Sequence, residues 1–145
     1  MDATIREGEK AVDPPRNFDA SLVFIGTIHT PWHERGDCPR QGDEAGPDCR
    51  IDVDPHWREA LEGIEAYSRL QVLYWMNEAR RDLVLQWPRG AEKPCGTFAL
   101  RSPVRPNPIA SSIVLLVRRE GTSLIVRGLD CRDGTPLLDL KPHRG

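Results

Sequence analysis

Two arginines in a proline-rich segment are well placed to bind an anion. Arg101 and Arg105 belong to the run Arg-Ser-Pro-Val-Arg-Pro-Asn-Pro-Ile over residues 101–109, whose prolines exclude a helix and favour a stiff, extended backbone. In an extended chain the two side chains fall on the same side, so both guanidiniums could point at one anionic group. A proline-stiffened connection with incidental surface arginines is the alternative that these residues leave open.

A second candidate segment contains a tight turn, Leu-Asp-Cys-Arg-Asp-Gly-Thr-Pro over residues 129–136. Exposed backbone amides of this turn could hold a ligand, and Asp130 and Asp133 could bind a ribose or an amino group. A plain hairpin is the alternative interpretation.

A third segment lies in a stretch without periodicity. From Glu34 to Asp48 the sequence is rich in Gly, Pro, Asp and Arg, which predicts a loop of about fifteen residues, and loops of that length are usually functional or disordered. Within it, Cys-Pro-Arg-Gln-Gly over residues 38–42 could form an ordinary turn or present Arg40 and Gln41 to a ligand.

Several familiar sites are not indicated. The phosphate-binding patterns G-x-G-x-x-G and G-x-x-x-x-G-K-S/T do not occur, and no serine has the context of a nucleophile elbow. The cysteines form no C-x-x-C pair, so we interpret Cys38, Cys49, Cys95 and Cys131 as free thiols and expect no metal site. The sequence has no apolar run of about 20 residues and no signal peptide, so we expect a cytoplasmic protein that contacts no membrane.

Charge is distributed unevenly along the chain. Residues 1–68 carry 7 Lys+Arg against 15 Asp+Glu, whereas residues 69–145 carry 13 against 7. Arginine supplies 17 of the 20 basic residues, and its forked guanidinium suits phosphate or carboxylate. The second half could therefore face a polyanion although the net charge is −2, with a solvated mixed-charge surface as the alternative.

The elements that must position these segments are mostly strands. Residues 1–19 are polar and lack an apolar period, which predicts a flexible leader, and residues 20–145 are expected to form one domain. Tight turns are predicted at Glu120-Gly121 and at Asp133-Gly134. Short β-rich runs predict strands over residues 22–28, 70–75, 97–100, 113–117, 123–126 and 136–140.

One helix is predicted, over Trp57–Ile64, where apolar residues recur at helical spacing after Pro55. Many short strands, Gly/Pro turns and one helix together indicate the fold class. We expect a small, single-domain, mostly-β barrel with one main helix.

Two long motifs occur some twenty residues apart in the second half of the chain. They are Gly-Thr-Phe-Ala-Leu-Arg-Ser-Pro-Val-Arg-Pro-Asn-Pro-Ile over residues 96–109 and Leu-Asp-Cys-Arg-Asp-Gly-Thr-Pro-Leu-Leu-Asp-Leu-Lys-Pro over residues 129–142. Together they closely resemble the TsaA-like family, also called TrmO. Segments 25–31, 39–41 and 63–68 match as well, so the resemblance covers nearly all of residues 21–142.

The resemblance implies an S-adenosylmethionine-dependent methyltransferase on a small β-barrel, which methylates N6 of threonylcarbamoyladenosine beside the tRNA anticodon. It also implies a homodimer with the cofactor near the subunit interface. Carried over position by position, it assigns cofactor binding to Pro39, Arg40, Gln41, Met76, Asn77, Arg101, Arg105, Ile113, Arg132, Asp133, Gly134 and Thr135. We expect Arg101 and Arg105 to engage the cofactor carboxylate or a substrate anion, and Asp133 to fix the adenosine or the methionine amino end.

Two departures from the family pattern could alter the shape of the pocket. Val104 stands where an aromatic residue is usual, and Ala110 and Ser111 replace the usual start of a G-x-S run. The chain resembles the short members that lack a C-terminal extension.

No general base is identified by the sequence, and Asp133, Asp139 and His143 are candidates by position and chemistry. Two functional alternatives stay open. One is a non-catalytic dimer that binds S-adenosylmethionine, and the other is a methyltransferase for another adenosine-like substrate.

Overall fold

The computed structural model describes residues 5–144, which divide into two compact units. The barrel unit consists of Leu22–Trp75 and the described residues from Ala110 onward. The small-sheet unit consists of the described residues up to Ser21 and of Met76–Ile109. No helix among the described residues has the length and apolar character needed to cross a membrane.

Strands dominate the secondary structure. In chain order the described residues form β1 (Lys10–Ala11), β2 (Gly26–His29), β3 (Cys49–Val53), β4 (Arg69–Trp75), β5 (Leu83–Gln86), β6 (Cys95–Gly96), β7 (Ile109–Glu120), β8 (Ser123–Arg127) and β9 (Thr135–Pro142). Six of them close a barrel in the order β2-β3-β8-β7-β4-β9, with β9 paired to β2. The predicted fold class, a mostly-β barrel, is therefore confirmed.

Alternating side chains build the barrel core. Along β4, Leu70, Val72 and Tyr74 are buried while their neighbours are half-buried or exposed, and β3 alternates in the same way. Because Tyr74 points inward with a polar hydroxyl, it requires a hydrogen-bonding partner inside the barrel unit. The aliphatic residues without solvent exposure include Ile28, Ile51, Leu70, Val72, Val114, Leu124, Val126 and Leu137.

Four of the predicted strands, over residues 70–75, 113–117, 123–126 and 136–140, are confirmed as β4, β7, β8 and β9. The predicted turn at Glu120-Gly121 is confirmed too, since β7 and β8 pair antiparallel up to Glu120 and Ser123. Strands β1, β3, β5 and β6 were not predicted. Strands β1, β5 and β6 are two to four residues long, which is too short to show a clear period, whereas β3 alternates apolar and charged residues over Cys49–Val53 and was missed.

Two predicted strands need correction. The run over residues 22–28 becomes a strand only from Gly26, and its first three apolar side chains are exposed. The prediction over residues 97–100 is wrong, because Thr97–Ala99 is a 3-10 helix. The buried hydroxyl of Thr97 donates to the Leu83 carbonyl and accepts from the side chain of Gln86, which turns the chain away from a strand.

The main helix overlaps the predicted range Trp57–Ile64, but it is a 3-10 helix over Pro55–Leu61, and Ile64 begins a separate 3-10 turn. It begins after Asp54, whose carboxylate accepts from the His56 backbone N–H. Trp57 interrupts it with non-helical angles (φ −101°, ψ 15°), so it consists of two short turns rather than an α-helix. Gly63 follows with φ 87° and redirects the chain.

The small-sheet unit contains a sheet in the order β1-β5-β6, in which Lys10 lies opposite Leu85. Strand β1 falls inside the segment 1–19 that was predicted to be a flexible leader. Residues 1–4 lie outside the described part of the chain, and the mobility of the segment stays a prediction.

Candidate functional site

Internal hydrogen bonds close the turn over residues 132–135 in the barrel unit. The backbone N–H of Asp133 donates to the Trp32 carbonyl at 2.7 Å, and that of Gly134 donates to the Ile28 carbonyl at 2.8 Å. The backbone N–H of Thr135 donates to the Arg132 carbonyl at 3.3 Å, which closes the turn within itself. The expectation that these amides are exposed for a ligand is therefore wrong. The open side of the turn is at Gly134, where φ is 88° and an added Cβ would meet no atom within 4 Å.

The carboxylate of Asp133 holds the segment that follows β2. One oxygen accepts from the Thr30 backbone N–H at 3.1 Å and lies 3.2 Å from Nδ1 of His29, while the other lies 3.4 Å from Nδ1 of His33. The opposite nitrogen of His29 lies 3.1 Å from a carboxylate oxygen of Asp52. Because these contacts engage both oxygens, the geometry gives Asp133 a positioning role rather than that of a free base.

A half-buried carboxylate beside this turn is held by a buried tyrosine. The hydroxyl of Tyr74 donates to Oδ1 of Asp130 at 2.8 Å and lies 2.8 Å from Oγ of Ser112. Burial, and then the Asp130 charge, raise the pKa of Tyr74 well above its usual value, so the phenol stays a neutral donor. The other oxygen of Asp130 makes no hydrogen bond with the described residues, which leaves an oriented acceptor for a ligand.

Two glycines pack the 38–42 loop against the segment that precedes Asp130. An added Cβ on Gly42 would collide with the carbonyl of Gly128, so only glycine allows this approach. Gly128 (φ 115°) in turn lies against β7, with an added Cβ 3.2 Å from the Ile113 carbonyl. Burial, followed by the charge of Asp130, raises the pKa of the Cys38 thiol in this loop.

The two arginines of this part of the barrel unit differ in their contacts. Arg40 is exposed, and it makes no ion pair or side-chain hydrogen bond with the residues that the structure describes. Arg132 donates from Nε to the His33 carbonyl at 2.7 Å and so helps to fix the turn. Arg40 is therefore the available cation here.

The proline loop belongs to the small-sheet unit, and its two arginines also differ. Arg105 donates from Nη1 to the carbonyls of Leu100 (3.0 Å) and Ser102 (2.9 Å), which closes the loop on itself. Arg101 is exposed and has no such partner within residues 5–144. We expected both guanidiniums to point at one anionic group, but Arg105 is engaged within the loop. Arg101 alone is available to an anion.

The residues that the resemblance assigned to the cofactor fall into two sets. Met76 is half-buried, its N–H donates to the Pro108 carbonyl at 2.9 Å, and Asn77 is exposed. These two residues lie with Arg101 and Arg105 in the small-sheet unit. The barrel unit holds Pro39, Arg40, Gln41, Ile113, Arg132, Asp133, Gly134 and Thr135. Their assignment to a cofactor stays a prediction.

Three polar residues complete this part of the barrel unit without belonging to the assigned set. Asp130 was singled out in the sequence as a possible partner of a ribose or amino group. Tyr74 and Ser112 were missed, although an inward tyrosine on an alternating strand signals that a polar partner is needed.

Two candidate bases lie far from the turn. β9 begins at Thr135, so at roughly 3.3 Å per residue Asp139 is about 13 Å along the strand from the last residue of the turn, and His143 lies beyond the end of that strand. Asp139 lines a separate cavity of about 390 Å³ together with Trp57 and Tyr67. Neither Asp139 nor His143 therefore adjoins the turn.

The cysteines are free thiols in the structure. Cys49 and Cys131 are buried, and their burial raises the pKa of the Cys49 thiol to about 11 and that of the Cys131 thiol to about 12. Within residues 5–144 no group of three or more His, Cys, Asp or Glu side chains is arranged to hold a metal ion.

Comparison with known proteins gives consistent matches. A family model described as the tRNA-methyltransferase O N-terminal domain matches residues 27–144. A probable S-adenosyl-L-methionine-binding protein of Rhizobium radiobacter, VirR, is 55% identical over 140 residues, which cover 97% of this chain and 80% of that protein.

Two further relatives are named for tRNA methylation or as TrmO. The tRNA (adenine(37)-N6)-methyltransferase of Escherichia coli K12 is 32% identical over 130 residues, which cover 82% of this chain and 55% of that enzyme. The crystal structure of TrmO from Pseudomonas aeruginosa superposes with a TM-score of 0.72 at 33% identity, covering 88% of this chain and 57% of that one. The chain thus spans a little over half the length of these two proteins.

Proposed function

Because the chain belongs to the family of the tRNA-methyltransferase O N-terminal domain, we propose that it is an S-adenosylmethionine-dependent methyltransferase acting on tRNA. The proposed acceptor is N6 of threonylcarbamoyladenosine beside the anticodon. The cofactor is supported by the name of the Rhizobium radiobacter relative, and the acceptor by the name of the Escherichia coli enzyme. We place the reaction in the cytoplasm.

One observation carries the proposal: Asp130, with an oriented carboxylate oxygen, follows two residues after Gly128, against which the loop that presents the unpaired Arg40 packs through Gly42. S-adenosylmethionine has a carboxylate that suits a guanidinium, and ribose hydroxyls and an amino group that suit a carboxylate. Ile113, which is 39% exposed, offers an apolar surface for the adenine. The residues present therefore fit this cofactor in charge and polarity.

The chemistry requires alignment more than it requires a catalytic side chain. When bound, S-adenosylmethionine supplies an electrophilic methyl carbon that a nitrogen can displace in line from sulfur. The chain's part is to hold both partners rigidly. Tyr74 fixes Asp130, the contact of Gly42 with Gly128 fixes the 38–42 loop, and Asp133 fixes the segment after β2.

We further propose that the protein is a homodimer with the cofactor near the interface, as the resemblance implies. Leu22, Val23 and Phe24 support self-association, because these consecutive apolar side chains are 55%, 62% and 50% exposed. Light scattering on the purified chain measures the mass in solution. A monomer at micromolar concentration would contradict this part of the proposal.

Calorimetry with S-adenosylmethionine, followed by mass spectrometry of nucleosides from tRNA incubated with protein and cofactor, tests the function. The proposal expects binding and the gain of one methyl group on threonylcarbamoyladenosine. Absence of cofactor binding would overturn it. Binding without methyl gain on any tRNA would instead support a non-catalytic binding protein. Methylation of the free modified nucleoside as fast as of folded tRNA would identify a small adenosine-like substrate.

A further inference from the structure

The most exposed large apolar side chain among the described residues is Phe98, at 82%. It lies in the middle of the 3-10 helix Thr97–Ala99, between β6 and the proline loop. Its ring makes no contact with another aromatic ring or a cation within residues 5–144. Nothing in the described chain therefore covers it.

Buried hydrogen bonds hold the backbone beneath this ring. Thr97 is 3% exposed, and its hydroxyl donates to the Leu83 carbonyl at 2.8 Å. The side-chain amide of Gln86 donates both to Thr97 Oγ1 at 2.9 Å and to the Val104 carbonyl at 2.8 Å. Because one side chain of β5 holds both the first residue of the short helix and the chain at Val104, five residues beyond its end, Phe98 is presented from a fixed backbone.

A second exposed phenylalanine in the small-sheet unit provides a contrast. Phe18 is 73% exposed, but the guanidinium carbon of Arg81 lies 5.0 Å from the centre of its ring. That ring face is already occupied by a cation of the same chain. Of the two rings, Phe98 is the one whose face is open.

The segment around Phe98 is basic. Residues 87–105 contain four basic residues and one acidic residue, Glu92. Arg89 and Lys93 are exposed and form no ion pair with the described residues. An open aromatic face in a segment that also carries exposed, unpaired cations matches a nucleotide, whose base stacks and whose phosphate is negative. A second copy covering Phe98 about a twofold axis would instead bring two basic segments together.

We propose that Phe98 is a stacking platform for an unpaired base of the RNA substrate, with Arg89 and Lys93 supplying positive charge for the neighbouring phosphates. The inference rests on the proposed function, since it requires RNA as the substrate. It adds an RNA contact that lies outside the residues assigned to the cofactor.

Fluorescence anisotropy with labelled tRNA, full-length protein and saturating S-adenosylmethionine tests the platform. Phe98→Ala and Phe98→Leu should each weaken tRNA binding about tenfold, because both remove the π-face, whereas Phe98→Tyr should bind like the unchanged protein. Phe18→Ala is the matched control and should leave tRNA affinity unchanged. Calorimetry should give the same S-adenosylmethionine affinity for all four variants.

Three outcomes would overturn the inference, and they are distinguishable. If the unchanged protein binds and methylates tRNA and Phe98→Ala does so with equal affinity, the platform is wrong and the proposed function stands. If Phe98→Ala converts a dimer to a monomer by light scattering, the ring covers a protein interface instead. If the unchanged protein binds no tRNA, the proposed function and the platform fail together.

Discussion

At the scale of single residues, the proline loop uses the same side-chain type for two purposes. Arg105 donates to the carbonyls of Leu100 and Ser102, whereas Arg101 is exposed and has no hydrogen-bonding or ionic partner within residues 5–144. One arginine thus shapes the loop, and the other is available for binding. Sequence spacing made the two arginines look equivalent, and only the fold of the loop separates them.

Alanine substitution should therefore affect cofactor affinity at Arg101 and stability at Arg105. Arg101→Ala should leave the melting temperature unchanged and weaken S-adenosylmethionine binding about tenfold, because it removes one charge-assisted contact. Arg105→Ala should lower the free energy of unfolding by about 1–2 kcal/mol, because two carbonyls lose their donor. Calorimetry and denaturant unfolding measure the two effects. An unchanged cofactor affinity in Arg101→Ala would remove Arg101 from the site.

The Asp130 carboxylate supports a second prediction. Asp130→Asn should keep the fold, because the asparagine carbonyl can still accept from Tyr74, but it should weaken cofactor binding by removing the free charged oxygen. Tyr74→Phe should also weaken cofactor binding, while costing about 1 kcal/mol of stability because the half-buried carboxylate loses a donor. Calorimetry and thermal unfolding of both variants check this. Wild-type affinity in Asp130→Asn would show that Asp130 does not contact the ligand.

The role of a single side chain could be predicted from the sequence only where that role does not depend on residues distant along the chain. Asp133 was recognised from its turn motif, but its engagement by Thr30 and His29 could not be, because those residues lie about a hundred positions earlier. Tyr74 was assigned to a buried strand, whereas its partner Asp130 comes from a different turn. Long-range hydrogen bonds of this kind leave no local signal.

At the scale of elements, the close approach of Gly42 to Gly128 holds the 38–42 loop in place. Gly42→Ala should displace that loop, lowering the free energy of unfolding by about 1–3 kcal/mol and weakening cofactor binding. Gly36→Ala is the matched control, since an added Cβ there meets nothing within 4 Å. Thermal unfolding and calorimetry compare the two variants. Equal stability and affinity in both would show that the backbone contact does not position the loop.

Buried thiols make the barrel unit sensitive to alkali. The raised pKa values of Cys49 and Cys131 mean that these thiols ionise more readily in the unfolded chain, whose thiol pKa is near 9.0. Their contribution to stability is complete below about pH 9 and is lost as the pH rises toward about 11 to 12. Denaturant unfolding across this range should show the loss.

The cysteine variants give the test its control. Cys131→Ala should show a shallower fall in stability above pH 9 than the unchanged protein, because one ionisable group is gone. Cys95→Ala, which replaces a half-buried cysteine of the small-sheet unit, should keep the original slope. Identical slopes in all three proteins would contradict a role for thiol burial.

The elements themselves were predictable in proportion to their length and regularity. The hairpin β7–β8 has alternating or continuous apolar runs around a Glu-Gly turn, so its position followed from the sequence. The 3-10 helix Thr97–Ala99 could not be predicted in this way, because the buried hydrogen bonds of Thr97 outweigh the strand propensity of its residues. A two-residue strand such as β1 exists only through its pairing with β5.

At the scale of the whole molecule, the barrel unit is assembled from two chain segments separated by Met76–Ile109. The pattern of short strands, Gly/Pro turns and one helix predicted the mostly-β barrel, but it carries no sign of this division. The uneven distribution of charge is visible in the sequence, but only the structure shows which cations are paired and which remain available to bind an anion. Arg40, Arg89, Lys93 and Arg101 stay unpaired within residues 5–144, whereas Arg69 and Arg127 are bound to carboxylates.

The most direct test of the account follows an isotopically labelled methyl group from S-adenosylmethionine into tRNA that carries threonylcarbamoyladenosine. Mass spectrometry of the digested nucleosides should find the label on that nucleoside alone with the unchanged protein, and a strongly reduced amount with Asp130→Asn. Tight cofactor binding with no label on any nucleoside of the tRNA would contradict the central claim that this chain is a tRNA methyltransferase.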